Sequence, residues 1–268
     1  MRAVAPPRGP PGATMTLLLA VLFGLVVGSF LNVCIVRLPE EESIVTPASH
    51  CRSCQAPVAW HDNIPVAGFV ILGGRCRRCG APFSWRYPFV EVLTGVLFGL
   101  VAMQDLPLEV ALLEMAIVSV LVVVTFIDID HFLILNVVTF PVIAVSPLLA
   151  AAVGHVTLED SLLGIVGGGG GLWAFAWSYE KIRGREGMGM GDVKLLAMIG
   201  GLLGWQASLF SLFAGAFAGS AYGLVAMVAR RRGLDLEIPF GPFLAFGALL
   251  YMFAGPPIVA FWLGTPTD

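Results

Sequence analysis

Long apolar runs separated by short polar breaks fill most of the chain, and only one polar stretch is long. In order, the apolar runs predict spans at about 15–36, 88–103, 108–127, 132–153, 161–178, 193–205, 207–229 and 243–263. Most of these approach the roughly 20 apolar residues that carry a helix across a bilayer. Helix is the expected form, because a helix satisfies its own backbone donors and acceptors in lipid. The sixth run is short, and only Gly204-Trp205-Gln206 divides it from the seventh. The polar stretch, 37–87, separates the first two spans. The expected fold is therefore an all-α membrane protein, a bundle of about eight transmembrane helices with a small loop domain after the first.

Composition supports lipid as the solvent. Of 268 residues, 57% are hydrophobic and 12% charged, against about 25% charged in a soluble domain. The net charge of −3 is small and says nothing about nucleic acid, and outside short loops no basic patch is large enough to grip a phosphate backbone. The basic residues also orient the chain. With eight spans, one side receives Arg37, Arg52, Arg75, Arg77, Arg78, Arg86, Lys181, Arg183, Arg185, Lys194, Arg230, Arg231 and Arg232, which is 13 of the 15. The other side receives only Arg2 and Arg8. Positive residues gather in the cytoplasm, so the loop 37–87 is expected there.

The domain division that follows is a proline-rich disordered tail at 1–14, a first transmembrane helix at 15–36, a cytoplasmic loop domain at 37–87 and a membrane domain at 88–268. Met15 is a second candidate start. A cleaved signal peptide is the less favoured reading of the first run, which is longer than a signal core and precedes no polar mature domain. Five consecutive glycines, Gly167–Gly171, fall in a predicted span. Close helix packing through small residues is the first reading. A hinge is the alternative, since glycine weakens a helix by about 1 kcal/mol relative to alanine.

Four of five cysteines pair up in the polar loop: Cys51-x-x-Cys54 and, 21 residues later, Cys76-x-x-Cys79. Two such turns complete a tetrahedral four-thiolate site for Zn²⁺. Disulfides are disfavoured in the reducing cytoplasm. Four protein ligands leave no open position, so the zinc would be structural and would fold a loop with little core of its own. Cys34, inside an apolar run, reads as a small buried hydrophobe.

Acids near spans are costly, about 2.5–3.5 kcal/mol at a helix centre. Asp128 and Asp130 end the third span, and Asp192 precedes the sixth after Gly187-Met188-Gly189-Met190-Gly191. The topology puts both segments at one depth on one side. Two carboxylates in contact do not both ionise readily, so such a pair holds a single proton. The ionised member can deprotonate water and the protonated member can polarise a peptide carbonyl, which hydrolyses peptides without a metal. The glycines would let backbone approach a substrate strand. Helix capping or cation coordination in a transporter or channel is the alternative. His131 reads as interfacial, and Lys194 as snorkelling to the surface.

Six segments follow one another in a fixed order along the chain: Gly28-Ser29-Phe30-Leu31-Asn32-Val33 with Arg37-Leu38-Pro39, Asp62-Asn63-Ile64-Pro65, Arg86-Tyr87-Pro88-Phe89-Val90-Glu91, Phe126-Ile127-Asp128-x-Asp130-His131, Gly189-x-Gly191-Asp192-x-Lys194-Leu195, and Ile238-Pro239-Phe240-Gly241-Pro242. Together they resemble the type IV prepilin peptidases, the prepilin leader peptidase/N-methyltransferases. The resemblance implies a GxGD-type membrane aspartyl protease with Asp128 and Asp192 as its catalytic pair and Gly189, Gly191 and Lys194 supporting that loop. It implies prepilin or pseudopilin substrates, cut after a glycine between a basic leader and an apolar helix, at the cytoplasmic face of the bacterial inner membrane. It also implies methylation of the new N-terminus from S-adenosylmethionine, with Gly73 and Gly74 as candidates for the cofactor site; a zinc-knuckle turn is the other reading of those glycines. Where the family usually has Pro-Asp after the first catalytic segment, this chain has Leu135-Asn136. Neither the substrate's identity nor an oligomeric state is legible in the sequence.

Overall fold

A computed structural model describes residues 11–184, 188–230 and 238–263. Most of the expected tail, together with Gly187, Arg185, Arg231 and Arg232, lies outside those residues. The chain forms two compact units, Met1–Ser119 and Val120–Asp268. Among the described residues the structure is helical, with isolated bridges but no strand.

The first unit contains α1 (Pro11–Arg37), a 3₁₀ turn (Trp60–Asn63), a short α2 (Ala67–Ile71), α3 (Arg86–Ala102) and the first half of α4 (Leu108–His131). Glycines let α1 and α3 touch backbone to backbone. A Cβ at Gly24 would stand 2.8 Å from Gly95 Cα, and one at Gly28 would stand 2.7 Å from Glu91 Cα. Gly24 and Gly28, like Gly95 and Gly99, are four apart, which places each pair on one face of its helix. That approach brings Asn32 of α1 against α3, where its amide donates to Tyr87 O at 3.0 Å.

The second unit holds the end of α4, α5 (Asn136–Val153), α6 (Leu158–Leu163), α7 (Gly171–Arg183), α8 (Met190–Leu203), α9 (Trp205–Arg230) and α10 (Gly241–Leu263). A π-helical turn, Gly164–Gly170, joins α6 to α7. Part of the glycine run packs closely: Gly168 lies against Ser208 and Gly169 against Ala197, while Gly167 and Gly171 face open space. Ser161 donates to Gly201 O at 2.6 Å, tying α6 to α8. The core is α8, whose Leu195, Leu196, Met198 and Ile199 are fully buried.

Among the described residues, four helices are long and apolar enough to cross a membrane: Thr14–Arg37, Leu108–His131, Asn136–Val153 and Trp205–Ala229. The sequence expectation was about eight. The other predicted spans are helical as well, among them α10 with 23 residues. α8 has 14 residues, about 21 Å at 1.5 Å per residue, and its apolar residues fill the protein core. α3 has 17 residues, and the fifth run continues as helix through the π turn from α6 into α7.

Candidate active site and metal centre

In the second unit Asp128 lies in the last turns of α4, buried at 5% exposure. Asp130, two residues on, faces outward with His131. The helical period separates the two acids, turning one inward and the other out. Asp128 Oδ2 accepts a hydrogen bond from the Gly241 backbone N–H at 2.9 Å. Gly241 opens α10, so its amide is among those a helix leaves unpaired at its start. Asp192 sits half-buried in the first turn of α8. The Asp128 carboxylate is close enough to act electrostatically on that of Asp192.

Ile134 organises this convergence. A Cβ at Gly191 would lie 3.1 Å from Ile134 Cβ, and one at Gly241 would lie 3.2 Å from Ile134 Cδ1 and 2.6 Å from Asp128 Oδ2. Both glycines are therefore places of close approach, and the GxGD loop and the start of α10 meet over one buried side chain. Two helix N-termini, those of α8 and α10, face the acids and favour negative charge there. Gly189 precedes α8 in extended backbone. Lys194 does not simply snorkel. Its Nζ donates to Asn136 Oδ1 and stands 5.7 Å from the Phe140 ring centre, both on α5. Asn136, one of the two departures from the family pattern, thus keeps an acceptor for the lysine.

An apolar groove of 640 Å³ adjoins these elements within the unit. Gly167, Gly168 and Gly171 line it, with Met188 from the glycine loop and Pro239 and Phe240 beside Gly241.

In the first unit Cys51, Cys54, Cys76 and Cys79 bring their sulfurs within 4.8 Å of one another. Cys51 and Cys79 are 3.8 Å apart, and Cys54 and Cys76 4.0 Å. Disulfide sulfurs would lie about 2.05 Å apart, whereas thiolates at about 2.3 Å from one tetrahedral metal lie about 3.8 Å from each other. The four cysteines are thus positioned to hold a metal ion. The backbone N–H groups of Cys54 and Ser53 donate to the Cys51 sulfur and lower its thiol to about 6, assisted by Cys76 and Cys54. Cys79 accepts from the Ala81 amide, yet its neighbours Cys54, Cys76 and Cys51, with desolvation, push its thiol up to about 11. A cation among the sulfurs would relieve that crowding.

The two knuckles are copies of one turn. Cys51 N donates to Ala56 O at 2.9 Å and Gln55 N to Cys51 O at 2.8 Å; Cys76 N donates to Ala81 O at 2.8 Å and Gly80 N to Cys76 O at 2.9 Å. Gln55 and Gly80 both take positive φ. The signal lies in the sequence as a repeat, Cys-Arg-Ser-Cys-Gln-Ala-Pro against Cys-Arg-Arg-Cys-Gly-Ala-Pro. Gly73 and Gly74, also at positive φ, end α2, with Gly74 N bonded to Phe69 O at 2.8 Å. Asp62 accepts Arg77 through Nε at 2.8 Å and through Nη2, and that guanidinium holds the Asp62 carboxyl below the usual range. This pair ties the 3₁₀ turn to the second knuckle.

The knuckle loop, α1 and α3 enclose a cavity of 710 Å³ with Asn32, Arg37, Asp62, Tyr87 and Glu91 among its walls. Spacing alone did not single out Asn32, Glu91 or Gly241 as site residues. The Gly-Pro pair at 241–242, just before an apolar run, is the one local signal of a helix start there.

Comparison with known proteins agrees with these features. The family model "Bacterial Peptidase A24 N-terminal domain" matches residues 22–105, and "Type IV leader peptidase family" matches 115–224. The chain belongs to the type IV leader peptidase family. It is thus a member of a family of proteases. Among its relatives is the prepilin leader peptidase/N-methyltransferase of Aeromonas salmonicida (strain A449), 36% identical over 92% of this chain and 94% of that protein. The protein of the same name from Neisseria gonorrhoeae is 34% identical over 92% and 95%. That from Klebsiella pneumoniae is 40% identical over 69% of this chain and 84% of its own length. No solved structure matches.

Proposed function

We propose that this protein is a membrane aspartyl endopeptidase that removes the basic leader of type IV prepilins or pseudopilins, and that it methylates the new N-terminus from S-adenosylmethionine. The observation that carries the first half is the convergence of Asp128 and Asp192 with Gly241 over Ile134. One proton shared by the pair suits acid–base hydrolysis. The ionised carboxylate takes a proton from water as the water's oxygen attacks the scissile carbonyl carbon. The protonated carboxyl hydrogen-bonds the carbonyl oxygen as negative charge develops there. Collapse of the tetrahedral intermediate breaks the C–N bond, and the amine leaves with a proton. The groove lined by Gly167, Gly168 and Phe240 suits the apolar stretch that follows a leader.

The second half rests on the names of the relatives and on the polar cavity of the first unit. S-adenosylmethionine, when bound, supplies an electrophilic methyl group. The cavity walls would hold the donor and exclude bulk water. Zinc at Cys51, Cys54, Cys76 and Cys79 would fix the cavity's roof, with no open position for chemistry. We place the chain as a multi-pass protein of the bacterial inner membrane, the knuckle loop and both aspartates at the cytoplasmic face. The roughly eight helices need not all cross the bilayer fully.

The test is the N-terminus of a co-reconstituted prepilin read by mass spectrometry. The expected product lacks the leader and carries one methyl group. Cleavage should fall at both pH extremes, where the acid pair is doubly protonated or doubly ionised. An intact prepilin, with ion or solute flux in the same proteoliposomes, would favour a transporter instead.

A further inference from the structure

Two buried residues on the cavity wall carry acceptor capacity to spare. Asn32 is 3% exposed, and its amide nitrogen donates to Gly28 O at 3.3 Å and Tyr87 O at 3.0 Å. Both partners are carbonyls, so the amide cannot be turned round. Its Oδ1 must be the acceptor, and it has no partner. Burying such an atom unpaired is costly. Beside it on the same cavity lies Glu91, 7% exposed. One Glu91 oxygen accepts the Val66 N–H at 2.7 Å, and Ser29 also bonds the carboxylate. A carboxylate has about four acceptor positions, so capacity remains.

Charge around the cavity points the same way. Its walls carry Glu40, Glu42, Asp62 and Glu91 against Arg37, Arg52 and His50. Two of those acids and both arginines are already engaged: Arg52 with Glu40 at 3.1 Å, Asp62 with Arg77, and Arg37 with Ser43 O at 2.9 Å. Glu91 is the acid left at the floor. Both it and Asn32 stand on the apolar helices, five residues inside the helix ends at Arg86 and Arg37. That is about 7.5 Å along each helix.

We propose that Glu91 and Asn32 form the site for the primary ammonium group of the freshly cut pilin, and that Glu91 takes the proton which that nitrogen must lose before methylation. The proposal rests on the methyl-transfer reading above. The ammonium donates one hydrogen bond to Asn32 Oδ1 and one to Glu91. Proton transfer to Glu91 frees the nitrogen lone pair, which attacks the methyl carbon of S-adenosylmethionine. The N–C bond forms as the C–S bond breaks, and sulfur departs with that bond's electrons as a neutral thioether. The product is a secondary ammonium, and the proton on Glu91 passes to water.

The donor molecule also carries a primary ammonium, so the experiment separates the two sources. Full-length protein in proteoliposomes is given prepilin, a synthetic peptide with the mature pilin N-terminus, and labelled S-adenosylmethionine. Glu91→Gln keeps an acceptor for the Val66 N–H. It should cleave prepilin normally and bind the labelled donor within about twofold, yet transfer methyl at least about 50-fold more slowly at pH 7. Its rate should recover as pH rises past about 8, where a free α-amino group loses its own proton. Asn32→Ala should slow transfer about tenfold. Wild-type transfer by Glu91→Gln, a pH-independent deficit, or a parallel loss of donor affinity would overturn the assignment. A wild-type protein that cuts but transfers no methyl would instead sink the methyl-transfer reading, and this one with it.

Discussion

The knuckle loop and the aspartate site solve opposite problems. In the first unit a polar segment has too little apolar surface to fold, and four thiols within 4.8 Å offer a metal the task of closing it. In the second, apolar packing is abundant, with α8 buried from Leu195 to Leu203, and the difficulty is to hold two acids where acids are costly. Glycine does that work: Gly191 and Gly241 let two helix starts close on Ile134, and Gly241 lends an amide to Asp128. One region is built to be cross-linked through a metal and the other is held by backbone proximity, so perturbations should separate them.

The greatest separation is expected from Asp192→Asn. Cleavage of prepilin should drop by about 10³-fold or more, with zinc content unchanged by elemental analysis. Gly241→Ala comes next. The new methyl would crowd Asp128 Oδ2 and Ile134, and a displacement near 1 Å is worth about 10²-fold in rate; the assay is initial cleavage rate at saturating substrate. Cys76→Ser should take the metal from one ion per chain to none and cut methyl transfer about tenfold or more, while cleavage falls by less. Equal losses of both activities would mean that the units are not independent. The smallest effect concerns Asp62. Its carboxyl is depressed by Arg77, so its stabilisation is complete above the unfolded value near 3.9 and disappears as pH falls through the folded one. Hydrogen exchange in residues 60–85 should show Asp62→Asn less protected at pH 7, with the gap to wild type closing below about pH 4.

What the sequence made legible follows the range of the interactions. The Cys-x-x-Cys pairs announce their geometry because each turn is local. The approach of Asp128 and Asp192, 64 positions apart, followed from charge asymmetry and span parity, which are global but simple. Asn32 with Tyr87, and Asp128 with Gly241, depend on which helix faces touch, and hydropathy carries no such information. Hydropathy also gave α8 the look of a span, since a helix inside a bundle and a helix in lipid use the same residues. The π turn within Gly164–Gly170 has no signal beyond the glycines themselves.

The two proposed chemistries occupy separate units, and a single preparation tests that separation. Asp128→Asn protein, supplied with both prepilin and an already cut pilin peptide plus labelled S-adenosylmethionine, should leave the prepilin whole and methylate the cut peptide at the wild-type rate. A leader removed at wild-type speed, or a cut peptide left unmethylated while the wild type modifies it, would contradict the account.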